Sequence, residues 1–235
     1  MNNSKRLSIS MTPAEAVWGW VYMPFFLFLL SYLLIQGCLL LGLDCASPGG
    51  QAWLNLVFLS VNFLACVVIF HDFLKKSLFK VKKSFWGFVQ AVILGLVMYY
   101  AGNYLVNLAF SLLPDFSNVN NDQIRFLASG NRWVVMVGTV ALAPLAEECL
   151  VRGLIFQGIF RKNRISAYVV STLFFCLLHV MGYVGSFPWT TLLLCTVQYI
   201  PAGVSLAWAY EKADTIFAPI LMHTLINAMA FGLLS

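Results

Sequence analysis

The sequence predicts an all-α protein, a polytopic bundle of transmembrane helices, from its composition and its hydropathy pattern. Of its 235 residues, 61% are hydrophobic and 10% are charged, whereas a soluble domain has about 25% charged residues. Apolar runs recur at the length of about 20 residues that a helix needs to cross a bilayer. A water-soluble globular protein is thereby excluded, and residues 1–235 are expected to form a single transmembrane domain in contact with lipid.

The apolar runs predict about seven spans, and six to eight are compatible with the pattern. They cover residues 17–43, 53–73, 86–113, 133–160, 166–181, 189–210 and 215–234. The first run is longer than the core of a cleavable signal peptide, so we expect it to remain as a membrane anchor. The 133–160 run contains Pro144, which predicts a kink or a division into two shorter helices.

The basic residues predict the orientation, because loops on the cytoplasmic side are enriched in Lys and Arg. Eleven of the 14 basic residues fall on one side of seven spans. They are Lys5, Arg6, Lys75, Lys76, Lys80, Lys82, Lys83, Arg161, Lys162, Arg164 and Lys212. We therefore expect a multi-pass protein of a bacterial plasma membrane with its N-terminus in the cytoplasm, Lys80 inside and Asn120 outside. The polar stretch 114–131 is expected to be a flexible or surface-lying external connector.

Cysteines and basic residues suggest neither a zinc module nor a nucleic-acid site. Of the six cysteines, Cys45 alone lies in a predicted loop, and the others fall within apolar runs and are interpreted as small core residues. There is no CxxC pair of the kind that holds structural zinc. Basic residues are not interleaved with aromatic ones as in a nucleic-acid surface, so no nucleic-acid partner is expected.

Polar side chains within the apolar runs are the clearest indication of a functional site. They are Glu147, Glu148 and Arg152 in the fourth run, His179 in the fifth, and His223 and Asn227 in the seventh. A charge at the bilayer centre costs roughly 2.5–3.5 kcal/mol on insertion scales, so such residues usually face the bundle interior and carry function. At about 1.5 Å per residue, Glu147, His179 and Asn227 lie roughly 20–22 Å from the cytoplasmic charges and His223 about 14 Å. This common depth predicts one internal site.

Helical phase separates the roles of these residues. Glu148 and Arg152 are four residues apart on one face, which favours an intrahelical ion pair with a structural role. Glu147 is offset by about 100° from its neighbour, so it is the carboxylate left free to act as a base. His223 and Asn227 are also four residues apart and project together, an arrangement suited to stabilising an oxyanion.

Other interpretations of the same residues remain open at this point. The acidic and basic residues of the fourth run could form a structural ion pair with a spare carboxylate, or a gating pair in a transporter. An intramembrane His is often a hydrogen-bonded packing residue, and two polar residues at helical spacing often bridge neighbouring helices. The co-occurrence of all three groups at one depth favours chemistry.

The ordered motifs resemble those of the CPBP family of intramembrane proteases, which includes CAAX proteases and bacteriocin-processing enzymes and is also called the Abi family. The motifs are Glu147-Glu148-x-x-x-Arg152, Phe175-x-x-x-His179 and His223-x-x-x-Asn227. The resemblance covers roughly residues 141–231, the expected catalytic core, and includes the stretch from Gly203 to Ile220. Val151 and the Ala213-Asp214-Thr215 turn depart from the family pattern at positions outside the polar set.

The resemblance implies hydrolysis of peptide bonds in membrane-associated peptides or lipidated proteins. Glu147 with His179 would activate a water molecule, and His223 with Asn227 would bind the oxyanion. Bacterial relatives are linked to bacteriocin self-immunity and to the maturation of peptide signals, which suit a small bacterial-looking chain.

A metal site is the alternative arrangement of the same residues. Glu147, His179 and His223 could hold zinc with an open position for water. The two histidines lack the HExxH spacing that places two ligands on one helix face, so we expect no obligatory metal cofactor.

Two functions of another class compete with proteolysis. The chain could be an immunity protein that binds a membrane peptide without cutting it, or a small transporter with an ionisable site in mid-membrane. Transporters often show paired halves with repeated helix breaks, and the sequence has no such pairing.

Overall fold

The computed structural model describes residues 7–112 and 116–233, and the protein is 86% helical with no strand in these ranges. The helices are α1 Pro13–Leu40, α2 Pro48–Ile69, α3 His71–Lys83, α4 Phe85–Phe110, α5 Val119–Phe160, α6 Arg164–Val180, α7 Trp189–Ala213 and α8 Phe217–Leu233. Six of them are long and apolar enough to cross a membrane, and α8 is apolar but shorter. The predicted polytopic helical bundle is confirmed.

Helix α5 lies at the centre of the bundle. In its most apolar window 56% of the residues are buried, against 17% in α4. Every residue of its segment Cys149–Phe156 is buried, and this segment packs against α6, α1 and α7. The polar residues of the fourth apolar run therefore sit in the protein interior and not against lipid.

The interruption of α5 lies at Asn131 and not at Pro144, where the sequence predicted it. Asn131 has an extended backbone (φ −158°, ψ 96°), and its side chain accepts a hydrogen bond from the Val134 amide, so it caps the span that follows. Pro144 is accommodated without a break because the π-helical segment Val137–Leu142 directly precedes it. A π-helix pairs residues five apart, which relieves the clash and the missing donor of an internal proline.

The expected connector 114–131 is largely helical, which corrects the prediction of a loop for residues 119–130; residues 113–115 lie outside the described ranges. Asn118 caps this helix by accepting from the amides of Asn120 and Asn121. Its buried Leu127 belongs to an apolar cluster with α2. Polar residues dominate the stretch, and its few apolar residues at helical spacing are enough to hold it against the bundle.

A close backbone contact fixes this helix to the start of α2. A Cβ atom added to Gly130 would lie 2.2 Å from the backbone nitrogen of Gly49. Only glycine permits such an approach.

Two cysteines form a disulfide that the sequence interpretation missed. Cys38, assigned to the first span as a core residue, is bonded to Cys45. The reason is that α1 ends at Leu40 and Gly42, at a positive φ of 64°, turns the chain back. The other four cysteines are buried and unpaired, in agreement with the prediction; they are Cys66, Cys149, Cys176 and Cys195.

The lysine-rich stretch forms the amphipathic helix α3 at one end of the bundle. It buries Phe73, Leu74 and Ser77 and exposes most of its lysines. Lys80 forms a 2.9 Å salt bridge with Asp214 in the turn between α7 and α8. We call this end, made of α3 and the α7–α8 turn, the lysine end.

The opposite end carries a network of amide side chains. Asn118 donates to Gln198, and Asn120 donates to the Tyr199 hydroxyl at 3.1 Å. The Tyr183 hydroxyl donates back to Asn120 at 3.3 Å. We call this end, made of residues 116–130 and the start of α2, the amide end.

Glu15 joins two helix starts near the lysine end, a contact that sequence reasoning did not find. The carboxylate accepts from the Thr12 amide at 2.7 Å in a capping box that begins α1. Its other oxygen accepts from the Phe73 amide, also at 2.7 Å, in the first turn of α3. Glu15 is buried although it precedes the predicted first span.

Candidate active site

The site is built on a buried ion pair within α5. Arg152 donates to Glu148 at 3.0 Å, and both side chains are fully buried. The other amino group of Arg152 donates to the Gly203 carbonyl on α7 at 3.0 Å, and its guanidinium lies 4.5 Å from the centre of the Phe175 ring on α6. One arginine therefore connects three helices.

Glu148 also positions the imidazole of His223. Its Oε1 lies 2.9 Å from His223 Nδ1, across from α5 to α8. With Nδ1–H donated to this carboxylate, a neutral His223 carries its lone pair on Nε2. That nitrogen faces Glu147, 3.9 Å from Oε2.

His179 is held in an equivalent way by the backbone and by aromatic rings. Its Nδ1 donates to the Phe175 carbonyl at 2.9 Å, which leaves Nε2 as the acceptor in the neutral ring. The imidazole stacks on Tyr199 with ring centres 4.3 Å apart and packs against Phe175 at 4.6 Å. Both rings restrict its rotation.

Glu147, His179 and His223 meet at one point, although the sequence placed His223 at about 14 Å from the cytoplasmic charges and the other two at roughly 20–22 Å. One ligand atom of each lies within 4.8 Å of the other two. Glu147 Oε2 is buried and makes no hydrogen bond to any residue in the described ranges. A carboxylate oxygen facing two imidazoles is a strong acceptor without a partner, which suits a water molecule or a cation.

The donors fit a metal as well as a water molecule. One carboxylate and two imidazoles are a common three-residue ligand set for catalytic zinc, with the fourth position left for water. A bound cation would lower the pKa of that water and so supply hydroxide at neutral pH.

These residues form the inner wall of a cavity of about 880 Å³. Asn227 lines the same cavity, and its amide nitrogen donates to the Thr139 carbonyl at 2.8 Å. The predicted pair of oxyanion donors is thus partly engaged within the protein, because His223 donates to Glu148 and Asn227 to Thr139. One amide hydrogen of Asn227 and a protonated Nε2 of His223 would supply the two donors.

Sequence reasoning did not find several contacts of the site. Nothing in the sequence marks Thr139 and Tyr199 as members of the site, because hydroxyl and aromatic residues are common in membrane spans. Gly203 lies within the stretch that resembles the family. Its role follows from packing: a Cβ at this position would lie 3.2 Å from the Thr172 Cα atom on α6, so glycine lets the two helices approach and exposes the carbonyl to Arg152.

Fold and site together define a multi-pass membrane protein with a buried carboxylate and imidazole centre on the wall of a large cavity. Comparison with protein families gives one match, which covers less than half of the chain. Residues 129–229 match the family model of the type II CAAX prenyl endopeptidase Rce1-like proteins. This range includes all six polar motif residues. The match supports the CPBP/CAAX protease family, the family that the motifs resemble. No curated protein and no solved structure matches the chain.

Proposed function

We propose that the protein is an intramembrane endopeptidase that hydrolyses peptide bonds of membrane-associated peptides or proteins. The observation that carries the proposal is the unpartnered Glu147 Oε2, which faces two imidazole nitrogens on the wall of a cavity large enough for a peptide. Bacteriocin self-immunity or the maturation of a peptide signal is the cellular role that we propose for it, in a bacterial plasma membrane.

The proposed mechanism begins with a water molecule held between Glu147 and His179. Glu147 takes one proton, and the oxygen attacks the carbonyl carbon of the scissile bond. The negative charge that develops on the carbonyl oxygen is stabilised by Asn227 and by the imidazolium form of His223, which Glu148 holds in position from the opposite side of the ring. Glu147 then passes its proton to the amide nitrogen, the C–N bond breaks, and an acid and an amine are released.

The test of this proposal is cleavage in isotopically labelled water. Purified protein is incubated with a library of membrane-associated peptides in H₂¹⁸O, and the products are analysed by mass spectrometry. We expect one ¹⁸O atom in the new carboxyl terminus of the N-terminal fragment, none in the C-terminal fragment, and no product with the Glu147→Ala variant. Absence of cleavage across the library by the folded protein would contradict the proposal.

The engaged donors favour one second candidate, a protein that binds peptides without cutting them. His223 and Asn227 already donate within the protein, as an inert binding cavity would allow. In that case the wild type and the Glu147→Ala variant would retain the same intact peptides in the same amounts.

We expect Asn227→Ala to lower kcat by about 10²- to 10³-fold with little change in KM, the usual cost of losing one oxyanion donor. The measurement is steady-state kinetics on a peptide found in the cleavage screen. Thr224→Ala, one turn earlier on the same helix, is the matched control and is expected to keep near-normal kinetics. A large rise in KM for Asn227→Ala at unchanged kcat would show that Asn227 binds the substrate and not the transition state.

We expect the purified active protein to contain no stoichiometric metal and to survive prolonged chelation. The measurements are elemental analysis of the protein and activity before and after dialysis against a chelator. If the activity required a bound metal, chelation would abolish it, and loss of a histidine ligand would release the ion. One zinc per chain that is lost in His223→Ala would refute the expectation and make Glu147 a ligand or the base to a metal-bound water.

A further inference from the structure

The cavity that holds Glu147 reaches one end of the bundle in the part of the chain that the structure describes. From Glu147 it extends to the amide end, where Asn120, Asn121 and Tyr183 line it. Among the described residues, none of the lysine end lines this cavity. Gln157, one turn below Arg152, is buried and donates to the Ile9 carbonyl at 2.6 Å and to the Tyr210 hydroxyl at 2.8 Å.

Two independent features indicate that the amide end is extracytoplasmic. Nine of the 12 basic residues that the structure describes lie toward the opposite end, which the positive-inside rule places in the cytoplasm. The Cys38–Cys45 disulfide lies at the far end of α1, beside the start of α2 in the amide end. Disulfides persist in oxidising compartments and are rare in the cytoplasm.

Amide side chains without partners line the cavity inside the membrane. Asn55 on α2 and Asn103 on α4 both face it, and neither side chain makes a hydrogen bond to another residue within 7–112 or 116–233. Each lies seven residues from the outer end of its helix, about 10 Å deep. A polar group at this depth is costly unless it finds a partner. An amide offers one donor group and one acceptor, which is the pattern of a peptide backbone.

The charged residues on the cavity wall further restrict the kind of peptide that could bind there. Beyond Glu147 and the two histidines, Arg125 is the one charged residue on its wall among the described residues, and it is paired with Asp122 at 3.3 Å. No unpaired cation is therefore present on this wall to receive the free carboxylate of a chain terminus. A neutral, amide-lined wall suits the middle of an extended and uncharged peptide segment.

We propose that the substrate is an extracytoplasmic peptide segment, exported or anchored in the outer leaflet, that enters the cavity in extended form through the amide end. This inference rests on the proposed endopeptidase function. Glu147 lies 16 residues below Asn131, about 24 Å along the helix. An extended chain advances about 3.3 Å per residue, so roughly seven residues separate the membrane surface from the scissile bond. Asn55 and Asn103 bind the backbone of these residues on the way.

The test is the sidedness of cavity labelling in the full-length protein. Asn103→Cys and Asn121→Cys are treated with a membrane-impermeant thiol reagent in intact cells and in inverted membrane vesicles. The unchanged chain, whose four free cysteines are buried, gives the background. Lys82→Cys reports the lysine end, and Leu105→Cys, exposed on the outside of α4, is the lipid-facing match to position 103.

We expect both cavity cysteines to react in intact cells, Lys82→Cys to react only in inverted vesicles, and Leu105→Cys to react in neither. Reaction of position 103 or 121 only in inverted vesicles would overturn the proposal, and so would failure of position 103 to react from either side. These results do not depend on cleavage. If the protein is labelled from outside but cleaves no peptide, the proposed endopeptidase function is wrong and the proposed entry through the amide end is supported. If the protein cleaves peptides but is labelled only from inside, the endopeptidase function is supported and the proposed entry is wrong.

Discussion

Glu147→Gln is expected to reduce peptide cleavage by about 10²- to 10⁴-fold, the contribution of a general base, while the protein stays folded. Glutamine keeps the shape of the side chain and its capacity for hydrogen bonds, but it does not accept a proton from water. The substitution is tolerated structurally because the Glu147 carboxylate makes no hydrogen bond within the described chain through Oε2 and lies 3.9 Å from the nearest imidazole nitrogen. The measurement is kcat/KM together with the thermal unfolding midpoint in detergent.

Glu211→Gln is the matched control for this result. Glu211 is a carboxylate near the lysine end that pairs with Arg164 at 3.0 Å, far from the cavity. We expect it to retain near-normal cleavage, since the hydrogen-bond partners of Glu211 are Arg164 and Tyr168 and neither lines the cavity. Near-normal cleavage by Glu147→Gln would show that the assignment of the base from helical phase is wrong.

Glu148→Gln is expected to destabilise the protein by about 3–5 kcal/mol, the cost of removing one partner of a buried ion pair. The change leaves Arg152 charged and fully buried without its carboxylate partner, while the Gly203 carbonyl and the Phe175 ring remain in contact with it. It also weakens the contact that positions His223, so cleavage falls as well. Unfolding in denaturant or by heat, followed in detergent, measures the loss of stability.

The double substitution Glu148→Gln with Arg152→Met separates charge from packing. Methionine removes the unpaired charge and fills much of the space, so most of the lost stability should return. Cleavage should not return, because His223 still lacks its carboxylate partner. If Glu147→Gln and Glu148→Gln gave the same loss of stability and of activity, the two glutamates would not have the separate roles assigned here.

The sequence predicted those features of the site that depend on spacing along one helix or on depth in the membrane. The ion pair of Glu148 and Arg152 follows from spacing along one helix, and it forms even though this part of α5 is π-helical. The meeting of Glu147 and His179 follows from their equal depth, because spans that cross the bilayer bring residues of equal depth into one layer. His223 was expected at a shallower depth, and its place beside them did not follow from the sequence. The catalytic roles of these residues stay predictions.

The contacts that sequence could not predict depend on the rotation of helices about their axes. The bond between His223 and Glu148 requires a particular rotation of α8 against α5, and the sequence of neither helix specifies it. Likewise, the disulfide depends on where α1 ends, and an apolar run does not mark that residue. In the stretch 119–130, polar composition obscured a helix that is held by a few apolar residues.

The shared cap at Glu15 has a consequence for the order of assembly during synthesis. Its carboxylate satisfies the first turn of α1 and also a backbone amide of α3, which is made 58 residues later. Until Phe73 leaves the ribosome, one carboxylate oxygen of Glu15 lacks the partner that it has in the folded protein. Burying this oxygen without a partner costs free energy, so we expect Glu15 to stay hydrated at the membrane surface until then. We therefore expect the start of the first span to pack against the bundle only after α3 has been made, and a chain truncated before residue 73 should be cleaved by protease near Glu15 more readily than the full chain.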